Sequence, residues 1–177
     1  MWFFILPFVM LMGMTPYMIA NNERMAQQQR QAAADWANWL LIQHEAAARG
    51  EKTYGPNYGQ TTPFNISVSW FSEELDPAVV AASRYGSVGG LDDPEQIVKT
   101  YTDGTRLVSV ININALQKAK GNLLAGHIVA EWSKLTQQRA GAGTLQSGAV
   151  RDHAGSSTPV NLASFLVPDG SPAIIEP

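Results

Sequence analysis

The first twenty residues, Met1 to Ala20 (MWFFILPFVMLMGMTPYMIA), carry no charged side chain. The first charged groups are Glu23 and Arg24. At about 1.5 Å per residue such a run is roughly 30 Å long as a helix, the thickness of a bilayer's hydrocarbon core. The run therefore predicts a membrane anchor over residues 1–20, with Trp2, Phe3, Phe4, Ile5, Leu6, Phe8, Val9, Met10 and Leu11 as its anchor residues. A cleaved signal peptide is the competing reading. It fits less well, because no basic residue precedes the run and the nearest cleavage-like sequence, Met18-Ile19-Ala20, opens on a large residue. Pro7 and Pro16 lie toward the two ends of the span, where a kink costs less than at its centre.

What remains of the 177 residues is enough for one small domain. Residues 61–104 are acidic, whereas residues 105–177 carry a small basic excess. No basic block and no aromatic-interleaved basic stripe occurs, so nucleic acid is not an expected partner. Cysteine is absent, which removes disulfides, thiol nucleophiles and Cys-ligated zinc.

From Asn21 to about Ala48 the text is rich in Ala, Gln, Leu, Arg and Glu, with no Gly or Pro. It predicts an amphipathic helix over 21–49, ended by Gly50, with Met25, Ala32, Trp36, Leu40 and Ala47 on one face. Residues 50–177 then read as a small α+β domain. Ile66, Val68 and Trp70 alternate with polar residues over 65–71 and predict a half-buried strand. Asp76-Pro77 opens a short helix to about Ser83. Gly86, Gly89 and Gly90 mark a loop. The runs Ile97–Thr102 and Thr105–Ile113, joined by Asp103-Gly104, predict a hairpin. Asn114 reads as the N-cap of a helix over 115–135, weakened at Gly121 and Gly126 and so open to division. Thr144–Arg151 reads as a strand. Leu162–Val167 and Ala173–Ile175, separated by Pro168-Asp169-Gly170, read as a terminal strand pair. The expected fold class is α+β: an N-terminal transmembrane helix continuing into a long helix packed on a small antiparallel sheet.

The search for chemistry returns absences. His44-Glu45 opens like the metalloprotease HExxH, but Ala48 stands where the second histidine is needed. His127 and His153 have no ligand partner at metal-binding spacing. Gly141-Ala-Gly143 lacks the third glycine of a dinucleotide loop, and no Walker lysine or G-x-S-x-G elbow is present. Ser147 has no nearby base in sequence. Glu73 and Glu74 read as a solvated helix start rather than an acid–base pair. The Asn65-Ile66-Ser67 sequon carries no weight alone. The chain is therefore read as non-enzymatic, without cofactor, metal or small-molecule substrate. Trp36, Trp39, Trp70 and Trp132 are the candidate partner contacts; for each, core packing is the competing and stronger reading.

Several short segments carry a resemblance. They are the hydrophobic start, the Gln/Ala-rich helix with Ala37-Asn38-Trp39-Leu40-Leu41-Ile42, and Val68-Ser69-Trp70-Phe71. To these are added Leu107-Val108-Ser109-Val110, Leu123-Leu124, and Leu166-Val167-Pro168-Asp169-Gly170 with Ala173-Ile174-Ile175. In organisation over most of its length the chain resembles the PilM family of conjugative type IVb (thin) pilus systems. The resemblance implies a bacterial inner-membrane protein with a single span, other pilus assembly proteins and membrane lipid as partners, a periplasmic carboxyl-terminal domain, and no catalytic residues. Arg24 and Arg30 follow the span and none precede it, a bias that on its own favours a cytoplasmic domain. The alternative reading is a minor pilin or pseudopilin of the filament, which shares the arrangement of apolar helix and sheet. Against it, prepilins carry a basic leader and a glutamate just inside the apolar segment, whereas Glu23 lies beyond it. A third class is a tethered or secreted envelope-binding module.

Overall fold

The computed structural model describes residues 5–82, 97–120, 122–137, 139, 141–152, 154–162 and 165–175. Trp2, Phe3, Phe4, the loop glycines Gly86, Gly89 and Gly90, Gly121 and His153 lie outside the described residues. The fold is α+β, with one long helix and a small antiparallel sheet.

Helix α1 runs unbroken from Ile5 to Tyr54, 50 residues, through Pro7 and Pro16. Among the described residues no helix is long and apolar enough to cross a membrane. From Tyr17 to Gln31 the helix is largely exposed; from Ala33 onward it buries a stripe. That stripe is wider than a single amphipathic face, because α1 is gripped on two sides. Trp36 and Leu40 are joined in the core by Trp39 and Ala37.

Gly50 does not end the helix. It lies inside α1 against Tyr58 and Phe71, where a Cβ would collide with both side chains. The helix stops at Gly55, whose φ of 85° reverses the chain. The Gly55 amide donates to the Glu51 carbonyl at 2.7 Å, and Pro56 follows.

Among the described residues, seven strands form one antiparallel sheet in the order β1-β2-β3-β7-β4-β5-β6. They are β1 (Phe64–Ile66), β2 (Val98–Thr102), β3 (Leu107–Ile111), β4 (Ala142–Gln146), β5 (Ala149–Asp152), β6 (Ser157–Pro159) and β7 (Pro172–Ile175). Helices α2 (Pro77–Ala82), α3 (Ile113–Lys120) and α4 (Asn122–Thr136) complete the described elements.

The 97–113 hairpin forms as expected, although its turn is four residues long rather than two. Thr102 pairs with Leu107. The Asp103 carboxylate accepts from the Thr105 and Arg106 amides, each at 2.8 Å, and so closes the loop. The helix after it begins earlier than expected, at Ile113, and is described as α3 and α4, with Gly121 between them outside the described residues. Its cap is Asn112, whose side chain accepts from the Ala115 amide at 3.2 Å, and not Asn114. The expected strand over 65–71 is shorter: β1 ends at Ile66, and single 3-10 turns follow at Val68–Trp70 and Ser72–Glu74. The 144–151 segment is a hairpin, not one strand. Ser147 and Gly148, at φ 50° and 76°, make its two-residue turn. Of the expected strand Leu162–Val167, Leu162 and residues 165–167 are not in a strand, and residues 163 and 164 lie outside the described residues. Phe165 and Val167 pack over the sheet face opposite α1, and β7 inserts between β3 and β4 instead of pairing with its predecessor.

Two cores flank the sheet. On one face α1, α3 and α4 enclose Trp36, Leu40, Leu116, Ile128 and Trp132 against Val98, Ile111, Ala142 and Ile174. On the other, Tyr101, Val108, Val110, Leu145 and Ile175 pack with Val160, Leu162, Phe165 and Val167. Burial there pushes the Tyr101 hydroxyl up to about 12. A third cluster, with Ala46, Ala47, Tyr58, Ile66, Phe71 and Leu107, seats the last turns of α1.

Candidate functional site

The interface between α1 and the sheet contains a chain of buried polar groups. Thr100 and Ser109 are direct cross-strand partners on β2 and β3. Alternation along both strands aims their hydroxyls at α1, and these oxygens lie 2.9 Å apart. Above them, consecutive residues of α1 complete the network. The Gln43 amide donates to the Val98 carbonyl and to the Thr100 hydroxyl, each at 3.2 Å. His44 Nδ1 sits 3.0 Å from the Ser109 hydroxyl.

All four side chains are buried. Burial disfavours the charged imidazolium, and the nearby Arg139 guanidinium adds to this, while Glu45 opposes it weakly. The result is a His44 pKa near 4 against an ordinary 6.5, so the ring is neutral at neutral pH. Glu45 and Arg139 form an ion pair at 2.9 Å beside it.

A serine next to a neutral histidine has the composition of a nucleophile with its base. Here, however, Ser109 is fully buried beneath α1, and its hydroxyl is shared between Thr100 and His44. The network satisfies polar groups that the interface would otherwise strand, and its directional bonds fix where α1 sits along the hairpin. Sequence reasoning placed His44 in a failed metal motif and did not find Gln43, Thr100 or Ser109. The available signal was a pair of hydroxyls at positions that alternate with Val98 on one strand and with Leu107 and Ile111 on the next.

The tryptophans divide. Trp36, Trp39 and Trp132 are core residues at 4 %, 5 % and 0 % exposure, the packing role that competed with their candidacy as contact residues. Trp132 also donates its indole N–H to the Gly143 carbonyl at 2.6 Å. A side chain so enclosed offers nothing to a partner. Trp70 differs. It is half-buried on the surface and stacks with Tyr54 and with Phe64, the ring centroids 5.8 Å away in each case. Tyr54 is 50 % exposed and Phe64 38 %. Tyr58 joins the group from beneath, anchored by its hydroxyl to the Ala47 carbonyl at 2.6 Å. The end of α1, the turn after it and β1 thus assemble an aromatic surface that only Trp70 had announced.

Of the anchor residues, Ile5, Leu6, Phe8, Val9, Met10 and Leu11 lie in the first turns of α1. Glu73 and Glu74 stand on a short 3-10 turn, where Glu74 pairs with Arg49 at 3.5 Å. Ser147 occupies the β4–β5 turn. Among the described residues no group of three or more His, Asp or Glu side chains is placed to hold a metal ion. Comparison with family models, with curated proteins and with solved structures finds no match.

Proposed function

We propose that this chain is a non-enzymatic, membrane-anchored scaffold in a type IV pilus assembly apparatus, as its resemblance to the PilM family implies. In this reading residues 1–20 hold it in a bacterial inner membrane, and the α+β domain faces the periplasm and presents a binding surface to other pilus proteins. The anchor is argued from the absence of charge through Ala20. The observation that carries the reading is the continuity of α1: one helix leaves the charge-free run, crosses an exposed stretch and then lies buried on the sheet. A tethered scaffold needs that geometry, a rigid connection between an anchor and a folded head. The aromatic surface of Tyr54, Phe64 and Trp70 supplies a contact point at the far end of the helix, of the residue types that dominate binding interfaces.

The same geometry favours a second reading, a minor pilin or pseudopilin. A helix projecting from an antiparallel sheet also suits a filament subunit. Shearing pili from cells and probing filaments and washed inner membranes by intact mass separates the two. Full-length protein confined to membranes supports the scaffold. Protein in filaments, shortened at its amino terminus, replaces it with the pilin reading. Protein in neither fraction overturns both.

A further inference from the structure

We draw no further inference here: the strongest candidate, the largely exposed stretch of α1 between Tyr17 and Gln31 with Glu23 and Arg30 two turns apart on one face, carries nothing because nothing in the structure shows what covers it.

Discussion

Acidification tests the buried network at its one titrating member. His44 has a pKa near 4 in the folded chain against an ordinary 6.5. Between these values the unfolded chain binds a proton that the folded chain refuses. Stability from this group is therefore complete above its unfolded pKa and is lost as pH falls from there through the folded value. A difference of about 2.5 units at about 1.4 kcal/mol per unit gives roughly 3 kcal/mol in all. That is a large share of the ~5–15 kcal/mol that holds an ordinary domain together. The assay is urea unfolding of the full chain in a non-ionic detergent, followed by tryptophan fluorescence, since Trp36, Trp39 and Trp132 are all core reporters. Carboxylates titrate over part of the same range, so the informative quantity is the gap between wild type and His44→Gln. The variant keeps a polar group for Ser109 but has no proton to bind. The wild type's advantage should shrink by about 3 kcal/mol between neutral pH and about pH 4, with the loss beginning near pH 6.5. Two stability curves running parallel over that range would refute the argument, because His44 would then titrate alike in both states.

Four further outcomes are expected. Gly143→Ala should cost at least about 3 kcal/mol in chemical unfolding, because a Cβ there collides with the Arg151 backbone carbonyl of the neighbouring strand, which a flexible side chain could avoid but a sheet cannot. Ser171→Ala should leave the thermal midpoint unchanged or raise it. Its hydroxyl is buried without a hydrogen-bond partner among the described residues, and removing it relieves about 1 kcal/mol or more of desolvation. Val9→Asp should release the protein from the membrane fraction or abolish its accumulation, since a carboxylate at mid-span costs about 3 kcal/mol by insertion scales; normal recovery in washed membranes would count against the anchor. Trp70→Ala should weaken retention of pilus assembly proteins on the tagged chain by about tenfold or more, the effect of losing an aromatic hot spot, with its circular dichroism unchanged.

Local chemistry was readable where it decides structure locally. Asp76 caps α2 as expected, its carboxylate accepting from the Ala78 amide at 2.8 Å, and Asp103 organises the β2–β3 turn through atoms within three residues of it. The helical stripe around Trp36 and Leu40 was equally plain, because periodicity alone reveals it. What escaped depends on distant partners. Ala173–Ile175 was legible as a strand, but its place was not: β7 pairs with β3 and β4, central and buried throughout, rather than with the segment just before it. Leu162, Phe165 and Val167 looked like a strand because covering an apolar sheet face demands the same residue types. Gly50 read as a stop signal, whereas its missing side chain makes room for Tyr58 and Phe71. His44 finds Ser109 from 65 residues away, and nothing near either residue advertises the other.

The unbroken course of α1 makes the orientation of the domain a matter of counting. From Asn21 to Tyr54 the helix contains no proline, so the sheet has a definite azimuth relative to whatever holds the first turns. One residue added between Ala20 and Ala33 would swing the whole domain by about 100° and lift it by about 1.5 Å. The aromatic surface around Trp70 would then point elsewhere with its own packing untouched. Seven added residues, close to two full turns, would bring it back to within about 20° of its original bearing, but about 10 Å higher. Length in this stretch therefore acts as a phase setting: the domain tolerates insertions there structurally, while the direction in which it presents its surface does not.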